Sequence, residues 1–279
     1  EEKKVNRITM DSDFKPMTPD EFDVSKVEFT KLRKLDNGAL TMYLNYDGGQ
    51  PIYLKTPELD LPFDGKYWAD NDNTGKWAIK ANLKGEKCVS MVEKLKEMDE
   101  LIKAEALKNS VSWFKKRNLS AETVDSLYNS MIKESLDPET GDPDGRFPPS
   151  FAFKVVKRND NVTCKIYKEK SEEYNTSNPD AEDFVSVDDL VKKGTKMKLL
   201  IKCNGVWLAN GKFGCTWRAE QMKVKPVANF DEYAFDDSDE EEVEKIDENF
   251  IDSTDEESDN VEEDVKEPPK KPRRVKKTK

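Results

Sequence analysis

Between residues 229 and 267 the chain carries 20 acidic side chains against two basic ones, Lys245 and Lys266. Such a segment cannot bury enough apolar surface to offset the entropy of ordering it, so it is expected to stay disordered. Whatever folds must fold from the residues before it. Those residues, 1–228, hold 38 acids and 38 bases, and the last twelve residues add seven bases and no acid. The formal charge of −11 therefore belongs to the tail, and the part that folds is electrically balanced.

Composition also narrows the chemistry. The chain has no histidine, which removes the commonest general base, the Ser-His and Cys-His nucleophile pairs and most zinc sites. Cys88, Cys164, Cys203 and Cys215 are scattered with no C-x-x-C pair. Each lies in or beside an apolar segment, as expected of reduced core thiols in an intracellular protein. No apolar run approaches a membrane span, and Glu1-Glu2-Lys3-Lys4 is unlike a signal peptide, so no membrane association is expected. Gly205, Gly211 and Gly214 are not followed by G-K-[ST], and Asp188-Asp189 reads as a helix cap and not as a metal ligand. These features describe a non-enzyme with no cofactor and no metal site.

The pattern before the tail is mainly that of short strands. Residues 1–24 are polar with Pro16 and Pro19 and read as a flexible arm. Asp36-Asn37-Gly38 is a hairpin turn between strands within Val27–Tyr46, because Asn-Gly supplies the positive φ that a tight turn needs. Strands are expected at Ile52–Lys55, Tyr67–Ala69 and Trp77–Leu83. Cys88, Val92, Leu95, Met98, Ile102 and Ala106 recur at steps of three and four, the mark of an amphipathic helix, with Trp113 close to the same stripe. Ser120 reads as the N-cap of a shorter helix running to about Leu136. Period-two alternation then predicts strands at Phe151–Val156, Val162–Tyr167, Lys196–Cys203, Val206–Leu208 and Cys215–Val224, with a strand at Val185–Val187 and a helix capped by Asp188 between them. Strands, then helices, then strands describe a β-rich α+β fold, a partly open barrel with inserted helices.

From Phe147 to Val227 there are 15 basic and 10 acidic residues. The bases fall on outward strand positions (Lys154, Lys165, Lys198, Lys202) or beside turns and strand ends (Arg158, Lys212, Arg218, Lys223), with Tyr167, Trp207, Phe213 and Trp217 among them. A cationic groove with aromatic faces is how single strands are held: phosphates meet the charges and bases stack on the rings. Alternating lysines also serve simply to solvate an open sheet face, with the tryptophans in the core. The acidic tail suits competition with phosphate for such a groove, and its Phe230, Tyr233, Phe235 and Phe250 suit docking into partner proteins. The basic run PPKKPRRVKKTK at 268–279 suits nuclear import, through about residues 270–277, or contact with nucleic acid.

Four stretches carry a family resemblance: PIYLKTPELDLPF at 51–63, NSVSWFKK at 109–116, FPPSFAFKV at 147–155 and NGVWLANGKFGCTWRAEQMKV at 204–224. They resemble the podophage-type single-stranded-DNA-binding proteins of large nucleocytoplasmic DNA viruses. The most specific part is W-x5-FG-x2-W-x3-Q, formed by Trp207, Phe213, Gly214, Trp217 and Gln221. The resemblance implies an oligonucleotide-binding (OB) fold, sequence-tolerant binding of single-stranded DNA, and work in viral DNA replication and recombination. It also implies an acidic tail that contacts polymerase or helicase and mediates self-association. A basic dozen follows the acids here, which departs from the phage pattern. The expected organisation is an arm at 1–24, a DNA-binding core at 25–227, an acidic tail at 228–267 and a basic end at 268–279. The rival expectation is an acidic chaperone or scaffold, or a virion structural protein, that binds basic partners and not DNA.

Overall fold

Alternation of apolar and polar residues, not helical periodicity, governs most of the chain, and strands dominate its structure. The computed structural model describes residues 15–36, 38–65, 76–158 and 161–227. Eight strands come first: β1 Val27–Phe29, β2 Arg33–Lys34, β3 Leu40–Met42, β4 Leu44–Tyr46, β5 Gln50–Pro51, β6 Tyr53–Lys55, β7 Leu59–Asp60 and β8 Lys76–Asn82. Three helices follow, α1 Val89–Lys108, α2 Ser110–Phe114 and α3 Ala121–Leu127. The remainder is β9 Tyr128–Asn129, β10 Ile132–Lys133, β11 Ser150–Arg158, β12 Asn161–Val162, β13 Lys165–Tyr167, α4 Val187–Leu190, and the two long strands β14 Lys196–Ala209 and β15 Lys212–Lys225.

Five of these strands close on themselves. β7 pairs with β8, β8 with β11, β11 with β15, β15 with β14, and β14 returns to β7. All the pairs are antiparallel except β11–β15, and the β7–β8 seam is one residue pair wide, Asp60 opposite Asn82. A barrel with one weak seam results. Leu59, Ile79, Phe151, Phe153, Val155, Met197, Leu199, Ile201 and Trp217 are buried along the alternating positions of these strands. The four cysteines are buried and unbridged, and burial pushes the Cys164 thiol up to about 12. A separate three-stranded sheet, β1-β4-β5, accompanies the barrel.

The stripe read from the sequence is the buried face of α1: Cys88 at its N-cap, then Leu95, Met98, Ile102 and Ala106, with Met91 added and Val92 only partly buried. Asn109 breaks the helix by donating Nδ2 to the Glu105 carbonyl (3.0 Å), and Trp113 of α2 is buried as expected. Ser120 caps α3, its Oγ accepting from Thr123 N (3.1 Å). That helix ends at Leu127 and not near Leu136. Residues 128–129 leave it to pair with β15, and the Asp99 carboxylate accepts from Tyr128 Oη (2.6 Å), Ser130 Oγ (2.5 Å) and Met131 N.

Asp99 yields a pH prediction. Burial raises its pKa, and the donors Ser130, Tyr128 and Met131, with Lys103 nearby, only partly oppose this. Between the unfolded carboxylate value of about 3.9 and the raised folded value, the folded chain binds more protons than the unfolded one. Stability from this site therefore falls as pH rises through that window. The Asp99→Asn variant lacks that slope, so its stability relative to the parent should improve from about pH 4 upward. Urea unfolding of both chains across pH 3.5–7 checks this, and a constant difference would contradict it.

Other expectations need correction. Residues 15–24 are not a free arm: Met17 bonds the β6 backbone on both sides (3.1 and 2.8 Å), and Phe22, 1% exposed, and Val24 are buried. The α4 cap is Ser186, whose Oγ accepts from Asp188 N (3.3 Å), and the helix takes over Val187 from the expected strand. β14 continues as one strand through Gly205 (φ +93°), where its register with β15 shifts by one residue and a Cβ would stand 2.1 Å from the Met42 carbonyl, so only glycine lets β3 pass this close. The β2–β3 turn closes as expected, Leu35 N donating to Ala39 O (2.8 Å). Asn37, residues 1–14, the strand expected at Tyr67–Ala69, the Trp77 side chain, the acidic tail and the basic end lie outside the described residues.

Candidate nucleic-acid interface

The hairpin of β14 and β15 sends one face into the barrel and the other to solvent, and the solvent face is basic. Its register sets Lys196 opposite Lys225, Lys198 opposite Lys223, and Lys202 opposite Arg218. Like charges directly opposite each other destabilise a sheet, so three such pairs in one hairpin need an explanation. The outermost pair is compensated, Lys196 by Glu58 (3.7 Å) and Lys225 by Glu169 (3.5 Å). Arg218 Nε holds Glu220 at 2.6 Å. Lys202 Nζ sits 5.0 Å from the centre of the Tyr53 ring. Lys198 and Lys223 have no carboxylate within ion-pair distance among the described residues.

Neighbouring strands widen this face. β6 places Tyr53 opposite Lys202 and the exposed Lys55 opposite Leu200. β13 places Tyr167 beside Lys223 and Lys165 beside Gln221, with Lys165 held by Glu173 at 3.1 Å. β11 brings the half-buried Lys154 into register with Arg218. Between β6, β14, β15 and β13 lies an open groove of about 640 Å³, whose lining includes Pro16, Lys55, Tyr167, Lys198, Leu200 and Lys223. Cations rim it, and Tyr167 and Leu200 give it apolar surface.

At the other end of the hairpin Trp207 is half-buried and opposite Gly214. A Cβ at Gly214 would stand 3.1 Å from Trp207 Cζ2 and 2.8 Å from the Asn129 carbonyl, so the indole lies over bare backbone. Beyond it, Arg33 is opposite Thr41, which is opposite Trp207, and the Arg33 guanidinium sits 5.5 Å from the centre of the exposed Tyr43 ring.

Of the residues picked from the sequence, Lys154, Lys165, Tyr167, Lys198, Lys202, Trp207, Arg218 and Lys223 share this outer face. Lys212 is exposed at the start of β15, and Arg158 is exposed at the end of β11, opposite Asn161. Two assignments were wrong. Phe213 is 0% exposed, packed against Trp113, Phe114 and Tyr128 with ring centres 4.9–6.1 Å away. Trp217 is 1% exposed and gives its Nε1–H to Met131 Sδ at 3.0 Å. Neither ring can meet a base, because both occupy the inner face. Sequence reading missed Tyr53 and Lys55. The signals there were the strand expected at Ile52–Lys55, in which buried Leu54 alternates with these two residues, and the stretch 51–63 that contains them.

A model described as Family of unknown function (DUF5871) matches residues 81–239, more than half of the chain. No curated protein matches the chain. Among solved structures it is similar to gp2.5, a single-stranded DNA binding protein encoded by bacteriophage T7: 14% identity, 73% of this chain, 100% of that one, TM-score 0.40. The C-terminal truncation of the single-stranded DNA-binding protein from bacteriophage Enc34 is similar at 13% identity over 72% of this chain and 97% of that one, TM-score 0.39. The Enc34 protein in complex with ssDNA matches at 10% identity over the same shares, TM-score 0.36.

Proposed function

We propose a function for this chain, which belongs to the Family of unknown function (DUF5871): it binds single-stranded DNA, without catalysis and with little regard to sequence, along the outer face of β14 and β15. The observation that carries the reading is the set of directly opposed cations, above all Lys198 and Lys223. A face that served only to be wet would interleave the two signs, which costs nothing. Opposed cations are a cost in the free protein that a polyanion removes on binding, releasing its own counterions as it does so. The groove beside them offers Tyr167 for stacking, and Tyr53 and Trp207 line the same face. The five-strand ring fits a partly open OB barrel.

In this reading the protein coats single strands during viral DNA replication and recombination. Its acidic segment at 228–267 contacts polymerase or helicase, competes with DNA for the basic face and supports self-association. The run at 270–277 directs it to the host nucleus. Fluorescence anisotropy of labelled poly-dT with the full chain, at two salt concentrations and against duplex competitor, tests the core of this. Binding should be selective for single strands and weaken steeply with salt. No binding even at low salt would refute the reading and turn attention to the acidic segment as the binder of basic partners.

A further inference from the structure

We infer that the cleft between Phe63 and Phe147 is a second nucleotide subsite, which takes a base of the same single strand beyond the Tyr167 groove; the inference rests on the single-strand reading above. The cleft holds about 260 Å³ and is lined by Pro62, Phe63, Lys80, Lys133, Phe147 and Pro148 among others. Phe147 is 65% exposed, a large apolar surface to leave in water, and Phe63 lines the same cleft from a second loop. The Phe147 loop is held in place. Its N–H donates to Ser135 Oγ (3.1 Å), that hydroxyl donates to the Asp144 carboxylate, and Pro148 and Pro149 restrict the backbone that follows.

Charge identifies the occupant. Lys80 and Lys133 line the cleft, and its acid, Glu134, is already held by Lys96 at 2.7 Å. Lys133 Nζ donates to Asn129 Oδ1 (2.7 Å); burial lowers its pKa, Asp99 opposes this, and Lys212 and Lys80 add to the lowering. These cations are close enough to repel one another. Two aromatic rings beside clustered lysines match a base flanked by phosphates better than an apolar protein segment.

The cleft is continuous with the interface. Lys80 faces Ala152 across β8 and β11, two residues along from Lys154, which is in register with Arg218. From Lys202 to Lys80 a strand of DNA would cross β14, β15, β11 and β8, about 15 Å at the usual strand spacing. From the other side, Asn129, which Lys133 holds, is in register with Gly214 under Trp207. Two paths, one through Arg218 and Lys154 and one through Gly214 and Asn129, thus lead along paired strands to residues of the cleft.

Labelled dT oligomers of increasing length, titrated with the full chain, test the inference. The parent should gain affinity with length until the cleft is reached, and the Phe63→Ala/Phe147→Ala double variant should stop gaining earlier. The two should bind the shortest competent oligomer equally and differ roughly tenfold on the long ones, with Phe147→Tyr matching the parent. A long oligomer carrying 5-iododeoxyuridine should cross-link on irradiation to the peptide containing Phe63 or Phe147, a readout that does not depend on any variant folding. Equal binding of parent and double variant at every length, or cross-links confined to the β13–β15 peptides, would overturn the subsite and leave the single-strand reading standing. If the parent binds no oligomer of any length, the single-strand reading itself fails and takes the subsite with it.

Discussion

A chain with Lys198, Lys202 and Lys223 all replaced by glutamine should lose about 100-fold in single-strand affinity near 0.1 M salt and melt no lower than its parent. Each phosphate neutralised on a single strand adds about 0.7 to the slope of log K against log salt, so three contacts contribute about two log units at 0.1 M. The same substitutions break up the opposed pairs 198–223 and 202–218, relieving a repulsion of roughly 0.2–1 kcal/mol per pair. Glutamine keeps much of the apolar stem, and the Arg218–Glu220 ion pair is untouched. Lys202 does give up its place over Tyr53, worth about 0.5–1 kcal/mol at such a site, so the relief must come mainly from 198–223. A salt titration and a thermal melt on one preparation check both halves. Unchanged affinity would make the lysines a solvating face after all. Lost affinity together with a melt lowered by many degrees would mean that the residues hold the hairpin and not the DNA.

The outward lysines of β14 were legible in the sequence because Met197, Leu199, Ile201 and Cys203 keep an unbroken apolar phase opposite them. β15 was not legible in the same way. Its buried side chains run 213, 215, 217 and 219, with the buried Gly214 between the first two, then change phase to 222 and 224, and the register with β14 shifts where they change. Glu220 is the extra residue. A bulge exchanges the two faces of a strand, and nothing local in A-E-Q-M marks which residue is in excess. A single period carried through the strand therefore cannot place both Trp217 and Lys223 correctly. Tyr53 and Lys55 were hidden for a different reason. Their place on the basic face comes from lying beside Leu200 and Lys202, nearly 150 residues later, and a strand carries no record of its partner. The early end of α3 has the same origin, since Asp99 of α1 and β15 hold residues 128–131 from outside that segment.

Trp207 and Trp217 sit ten residues apart in one motif, and their alanine variants should fail in opposite ways. Trp217 is in register with Phe153 on one side and Cys203 on the other, with its N–H directed at Met131 Sδ. Emptying that site should cost about 3–5 kcal/mol, a large share of the 5–15 kcal/mol that holds a typical domain together. The urea midpoint should fall accordingly, while the molecules still folded bind DNA as the parent does. Trp217→Phe should restore most of the loss because the ring, more than the N–H, fills the space. Trp207 lies on the outer face over Gly214, so its alanine variant should unfold near the parental midpoint and bind single strands roughly tenfold more weakly, the contribution of one stacked base. A Trp217→Ala chain that folds normally and loses DNA would put the indole on the binding face and reverse the inner and outer faces of β15 at that position. The two phenotypes separate across the pleat of a single hairpin, where the face a ring occupies decides whether it fills the barrel or is open to a base.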